Sequence, residues 1–288
     1  MSLKQLFRQP MLRAMLGRQH IQALRSMTTQ SDKVLVDLDP KTGVAVVQMN
    51  RPPVNSLNLE FLSDINNTLD KLHNDKSCRG LILTSSNNKV FCAGLDIMEM
   101  YQPQTDRLTE FWKTLQNVWM NLYGSRLATI AAINGHSPAG GCLLATCCDY
   151  RIMVQNFTIG LNETQLGIIP PFWFVDSMEG VVGYRQTELA CQKGLMMTTD
   201  QASKIGLVDE VVTPEVVLQK AQNEMVSWLK IPDYARQLTK SQMKMPNINK
   251  LRARRDEDVQ HFVNFITKDS VQQALGFYIE NLKKKAKK

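Results

Sequence analysis

From Leu127 to Ile133 the chain is apolar at every position but Thr129, and Asn134-Gly135 closes the run. A strand with no polar alternation is a buried one, so the fold has to be organised around it. The elements on either side fit that demand. Val34–Leu38 and Val44–Met49 are short and rich in β-branched residues, and the Pro40-Lys41-Thr42-Gly43 turn between them predicts a hairpin. Leu62, Ile65, Leu69 and Leu72 share one face of a helix expected from about Leu59. Gly80–Thr84 reads as the next strand, and an Asn/Lys loop leads into Val90–Asp96. A second helix turns Leu108, Phe111, Leu115, Val118 and Leu122 inward, and a third begins near Gly140. Tyr150–Val154, Phe157–Ile159 and Gly206–Val212 read as further strands.

Strands, mostly in pairs and followed by helices, make an α/β body over residues 32–212. Beyond Thr213 the pattern is helical, over about 215–230, 233–243 and from 251 onward, with Val259, Phe262 and Ile266 on one face. The expected organisation is therefore a body followed by a helical region spanning 213–288. No apolar run approaches the roughly 20 residues a membrane-spanning helix needs.

The net charge of +7 raises the possibility of a nucleic-acid partner, but its distribution argues against one. Ten of the 34 basic residues lie in the first 31 and last six positions, leaving 24 against 27 acidic residues in the body. Residues 1–31 carry Arg8, Arg13, Arg18 and Arg25, have no acid before Asp32, and space Leu3, Phe7, Met11 and Met15 along one helical face. That composition predicts a mitochondrial transit peptide cut between Arg25 and Asp32, the blander reading being a disordered basic arm. Six cysteines without a Cys-x-x-Cys pair, and only four histidines, give no metal site.

Three segments could carry chemistry. Val90-Phe91-Cys92-Ala93-Gly94-Leu95-Asp96-Ile97 places small residues between a strand and a helical region, which is either a tight turn or a loop that opens its N–H groups to a ligand. Ile133-Asn134-Gly135-His136-Ser137-Pro138-Ala139-Gly140-Gly141 places adjacent glycines where a strand passes into a helix. They permit close backbone approach and free donors, or merely close packing, the latter plausible for Gly141. Asn134 and His136 read as turn or packing residues. The third segment, Gly160-Leu161-Asn162-Glu163 through Trp173, sets a lone carboxylate in an apolar run. Glu163 is either a solvated residue at a helix N-terminus or a base raised by desolvation.

In this order the three segments resemble the crotonase (enoyl-CoA hydratase/isomerase) superfamily, most closely its mitochondrial enoyl-CoA delta-isomerase branch. Supporting matches are Arg51-Pro52-Pro53-Val54-Asn55-Ser56-Leu57, Cys148-Asp149-Tyr150-Arg151, Gly206-Leu207-Val208-Asp209-Glu210 and Ala235-Arg236-Gln237-Leu238-Thr239-Lys240. The resemblance implies a spiral of repeated ββα units, with the C-terminal helices covering the active site and joining three copies into a homotrimer in the mitochondrial matrix. It implies an acyl-CoA substrate and no separate cofactor, since coenzyme A belongs to the substrate. It places substrate contacts at Ala93, Gly94, Leu95, Asp96, Ile97, Gly140 and Asn162, an oxyanion hole at the Leu95 and Gly140 amides, and a catalytic acid at Glu163. Hydratases of the superfamily use two glutamates, and the position matching the first is Leu143, which cannot ionise. The resemblance thus implies conversion of cis- or trans-3-enoyl-CoA to trans-2-enoyl-CoA, with Leu143 and Phe172 burying the base. A hydratase and a catalytically silent or RNA-binding scaffold are the rival readings.

Overall fold

The computed structural model describes residues 32–286, so the transit-peptide reading of 1–31 lies outside the described residues. Strands β1 (Val34–Asp39) and β2 (Val44–Met49) form the expected antiparallel hairpin. Asp39 ties its turn, accepting from the Lys41 N–H and the Thr42 hydroxyl, and Gly43 completes it at φ 70°. Helix α1 (Leu59–Asn74) begins where Asn58 accepts the Phe61 N–H, and it buries Leu62, Ile65, Leu69 and Leu72. There follow β3 (Gly80–Ser85), α2 (Thr105–Tyr123), β4 (Ala128–Ile133), β5 (Ser137–Pro138), α3 (Gly140–Cys147), β6 (Tyr150–Val154) and β7 (Thr158–Gly160). Then come α4 (Phe172–Val182), α5 (Tyr184–Lys193), β8 (Met197–Thr198), α6 (Thr199–Lys204) and β9 (Glu210–Val212). Four helices end the chain: α7 (Val217–Leu229), α8 (Asp233–Ala253), α9 (Arg255–Ile266) and α10 (Asp269–Ala286).

The main sheet has the order β1-β2-β3-β4-β6-β9 and is parallel everywhere except between β1 and β2. A small second sheet, β5-β7-β8, stands beside it. The central strands are apolar throughout because both of their faces are covered. Ile82, Ala128, Ile130, Ala132 and Ile152 pack against Val217, Ala221 and Met225 of α7. Leu81, Leu83, Ala131, Ile133 and Met153 point into the larger core shared with α1, α2 and α3. Each large side chain so buried contributes about 1.5–3 kcal/mol.

Three elements differ from the sequence expectation. Only Glu210–Val212 of the expected strand 206–212 pairs with β6. Gly206 at φ 79°, with the Leu207 and Val208 amides bonded back to Ala202 O, instead terminates α6. Helix α8 does not stop at 243 but runs through Pro246 to Ala253. Pro246 and Gln242 are both exposed, so the carbonyl deprived of its donor can turn to water, and Ile248 and Leu251 are buried beyond it. The helical stretch from 251 onward is two helices, broken again at Thr267. Helices α4 and α5 have no announcing periodicity: α4 packs Trp173, Phe174 and Met178 into the core and carries few polar residues to mark an outer face.

Candidate active site

The first two sequence segments meet. Gly94 lies at φ 87°, and a Cβ there would stand 2.9 Å from the Ala139 Cβ and 3.2 Å from the Gly140 nitrogen. Only glycine allows that approach. Leu57 stitches the 93–97 loop in place, donating to Gly94 O and accepting from the Asp96 N–H. The Ala93 amide bonds Val54 O, and the Gly94 amide faces the Cys92 sulfur at 3.4 Å. Of the two remaining amides in the loop, that of Leu95 belongs to a residue lining the main cavity.

On the other side, Ala139 is held at φ 47° and ψ −118° by the bond from its N–H to Gly160 O at 2.8 Å. This is a strained setting for an L residue. It turns the chain from β5 directly into α3, whose first residue is Gly140. The opening amides of a helix have no carbonyl behind them and carry its positive end. Gly141 serves packing, because a Cβ would overlap Cys92 O. His136 bonds Thr158, and Asn134 donates to Ser85 O and Asn87 O, as befits turn residues. Asp96 caps the short turn Ile97–Glu99 and pairs with Arg51 at 3.1 Å, so its side chain is structural.

Glu163 opens a single 3₁₀ turn, Glu163–Leu166, that Gly167 ends at φ 74°. It is only 4% exposed, and neither carboxylate oxygen has a hydrogen-bond partner. Burial pushes its carboxyl up to about 7, with only its own backbone N–H pulling the other way. Burial first, and then the Glu163 charge, also raises the thiols of Cys142 and Cys191. Of the two sequence readings, the desolvated acid is the one the fold adopts.

Glu163 and Leu95 share a cavity of about 250 Å³. Phe172 lines it as expected. Leu143 is buried on α3 but is not among its walls, and Asn162 is likewise outside it, with its Oδ1 buried and unpartnered. Among the other walls, those not legible as site residues include Trp112 from α2, Phe174 from α4, and Glu257, Asp258, His261, Phe262 and Ile266 from α9. Phe262 and Ile266 were readable as an apolar helix face. The available hint was Asp258, an acid directly beside Val259 on that face.

A buried carboxyl titrating near neutrality, next to paired loops with free amides, can take a proton from carbon and return it while an oxyanion is held. The model of the enoyl-CoA hydratase/isomerase family matches residues 39–288. The mitochondrial enoyl-CoA delta isomerase 1 of Mus musculus is 49% identical over 255 residues, covering 88% of this chain and 88% of that protein. Its Homo sapiens counterpart is 50% identical, covering 88% and 84%. The crystal structure of human mitochondrial delta3-delta2-enoyl-CoA isomerase superposes with a TM-score of 0.87 at 49% identity, covering 88% of this chain and 99% of that one. The family model spans the whole stretch that builds the cavity, from Leu95 to Ile266, and the chain belongs to the enoyl-CoA hydratase/isomerase family.

Proposed function

We propose that this protein is a mitochondrial delta3-delta2-enoyl-CoA isomerase acting in the β-oxidation of unsaturated fatty acids, with Glu163 as its single acid–base residue. Glu163 removes a proton from C2 of a cis- or trans-3-enoyl-CoA. The electron pair moves into a dienolate whose negative charge rests on the thioester oxygen, bonded by the Leu95 and Gly140 amides. The protonated Glu163 then delivers the proton to C4, and the double bond settles between C2 and C3 as trans-2-enoyl-CoA. Each oxyanion donor is worth about 2.7–4 kcal/mol of barrier, and the general base about 10²–10⁴-fold.

The observation that carries this reading is the solitary state of the Glu163 carboxylate, with both oxygens buried and unpartnered. A hydratase also has to activate water, and in the superfamily a second glutamate does so where this chain has Leu143. One acid suffices for a proton that leaves and returns. Backbone from Ala93 to Ile97 contacts coenzyme A, and Asn162 orients the acyl group. Residues 1–31 direct the chain to the mitochondrial matrix, in keeping with the mitochondrial names of its relatives. The body 32–212 and the helical region 213–288 assemble as a homotrimer, which a mass measurement in solution checks directly.

The test is incubation of the chain, and of its Glu163→Gln variant, with 3-hexenoyl-CoA. Conjugated 2-enoyl thioester is expected to form with the first and not with the second. Faster water addition to crotonyl-CoA than isomerisation would replace this reading with a hydratase.

A further inference from the structure

One carboxylate organises the cavity wall built by α2, α4 and α9. Asp258 Oδ2 accepts from the Trp112 indole N–H at 2.7 Å, the Gln116 amide at 2.8 Å and the Trp173 indole N–H at 3.2 Å. No cation lies within ion-pair distance of it among the described residues. Trp112 in turn stacks on Phe262, with ring centroids 3.5 Å apart and planes 8° from parallel, and meets Trp173 edge-on at 5.6 Å. Asp258, Trp112 and Phe262 all line the cavity that holds Glu163.

A buried carboxylate without a counter-ion is an expensive way to fill a wall, since an apolar side chain would pack there with no charge to desolvate. What the carboxylate adds is orientation. With its N–H anchored, an indole can neither flip nor tilt, and both tryptophans are fixed through the same oxygen.

Building on the isomerase reading, we propose that Asp258 is a positioning residue that holds Trp112, with Trp173 packed behind it, as the recognition wall for acyl carbons beyond C4. The reacting carbons sit at Glu163, so only a chain longer than the reacting segment reaches that wall. An apolar cavity of about 150 Å³ accepts a benzene-sized molecule. This cavity, of about 250 Å³ and lined in part by polar side chains, has room for acyl carbons beyond the reacting segment.

The test measures kcat and KM for Asp258→Asn and Trp112→Phe with 3-butenoyl-, 3-hexenoyl- and 3-decenoyl-CoA. For Asp258→Asn, kcat/KM on 3-decenoyl-CoA is expected to fall about tenfold, mainly through KM, the scale of a lost methylene contact. The 3-butenoyl substrate is expected to change by less than about twofold, and the double variant to be no worse than Asp258→Asn alone, because both act through one bond. Equal loss at every length would make Asp258 merely structural, and no loss at the longest would remove it from recognition; either outcome overturns the proposal. Trp112→Phe keeps an aromatic face on the wall while removing the N–H that Asp258 accepts, and decides the matter if Asp258→Asn does not fold. Were the wild type to isomerise nothing, the isomerase reading would fall by itself. Calorimetric binding of butyryl- against decanoyl-CoA to the same variants would then test the wall.

Discussion

Asp149, just before β6, and Glu163, just after β7, are both buried carboxylates in the same half of the chain, yet the protein surrounds them in opposite ways. Asp149 accepts from Lys240 at 2.7 Å, from Lys244 at 3.2 Å, and from both the backbone N–H and the hydroxyl of Thr129 at 3.0 Å. Burial alone would raise its carboxyl, but the two ammonium groups, Lys240 foremost, outweigh burial and hold it below the usual range. Glu163 has neither cation nor donor, and burial carries it up to about 7. Asp149 fastens α8 to the sheet; Glu163 fastens nothing. The contrast teaches that burial by itself does not make a carboxylate reactive. Withholding partners does, and stability elsewhere has to offset the strain of an unsatisfied charge.

The comparison breaks most visibly if Glu163 is made incapable of titrating. Glu163→Gln is expected to lower kcat by about 10²–10⁴-fold, followed as conjugated thioester formed from 3-hexenoyl-CoA. An effect below tenfold would show that Glu163 is not the base. Asp149→Asn is the mirror experiment. It leaves the buried Lys240 and the half-buried Lys244 without their anion and is expected to cost about 3–5 kcal/mol in denaturant unfolding, while kcat of the folded fraction changes little. The sign follows from the lowered carboxyl: the stability Asp149 supplies is present above its unfolded value near 3.8 and is lost as pH falls through the lower native one. The gap between Asp149→Asn and wild type should therefore close at strongly acid pH. A kcat loss matching that of Glu163→Gln would erase the distinction between the two carboxylates.

These two sites were unequally legible in the sequence. The Cys148-Asp149-Tyr150-Arg151 stretch could be matched to a family but not to its lysines, which arrive from α8: Lys240 lies inside the helix expected over 233–243, and Lys244 just past the end that pattern gave it. The hairpin, β3, β4 and β6 were readable because apolar and β-branched residues mark buried strands. The loops at Gly94 and Gly140 were readable because close backbone approach demands glycine. Whether Glu163 was a solvated end or a desolvated base was not decidable locally, since its walls come from Leu95, Trp112 and Phe262, far apart in the chain. Leu143 was legible only by identity: it rules out an acid at its own position, and the fold buries it on α3 outside the cavity's walls.

A smaller effect sharpens the contrast through pH. Glu163 titrates near 7 in the native protein and at an ordinary 4.5 when unfolded. Between those values the native state keeps a proton that the unfolded chain releases, so its contribution to stability falls as pH rises and levels off above about 7. The span corresponds to about 3 kcal/mol. Glu163→Gln removes this slope, and its unfolding free energy relative to wild type should climb between pH 4.5 and 7 and then run flat. Urea titrations across that range measure it directly. A difference that stays constant with pH would mean Glu163 is not desolvated as described. In the wild type, kcat/KM should rise with pH through about 7 as the base form appears.

The mildest way to move Glu163 toward the state of Asp149 is to give it one donor. Cys142, buried on α3, feels the Glu163 charge, which adds to burial in pushing its thiol up, but it makes no hydrogen bond to the carboxylate. Cys142→Ser keeps the volume nearly constant and offers a stronger donor where the sulfur bonds nothing on Glu163. A hydroxyl donating to the carboxylate favours its charged form, so the acid limb of kcat/KM should shift down by roughly one pH unit, the worth of a bond of about 1.4 kcal/mol. The better-stabilised anion is also a weaker base, so the plateau rate should drop about threefold along with that shift. The two changes are coupled by one cause and have to appear together. A limb that moves without a slower plateau would mean that chemistry at Glu163 does not limit turnover. A limb that stays in place would mean that the unpartnered state of Glu163, rather than any single missing donor, resists correction at this position.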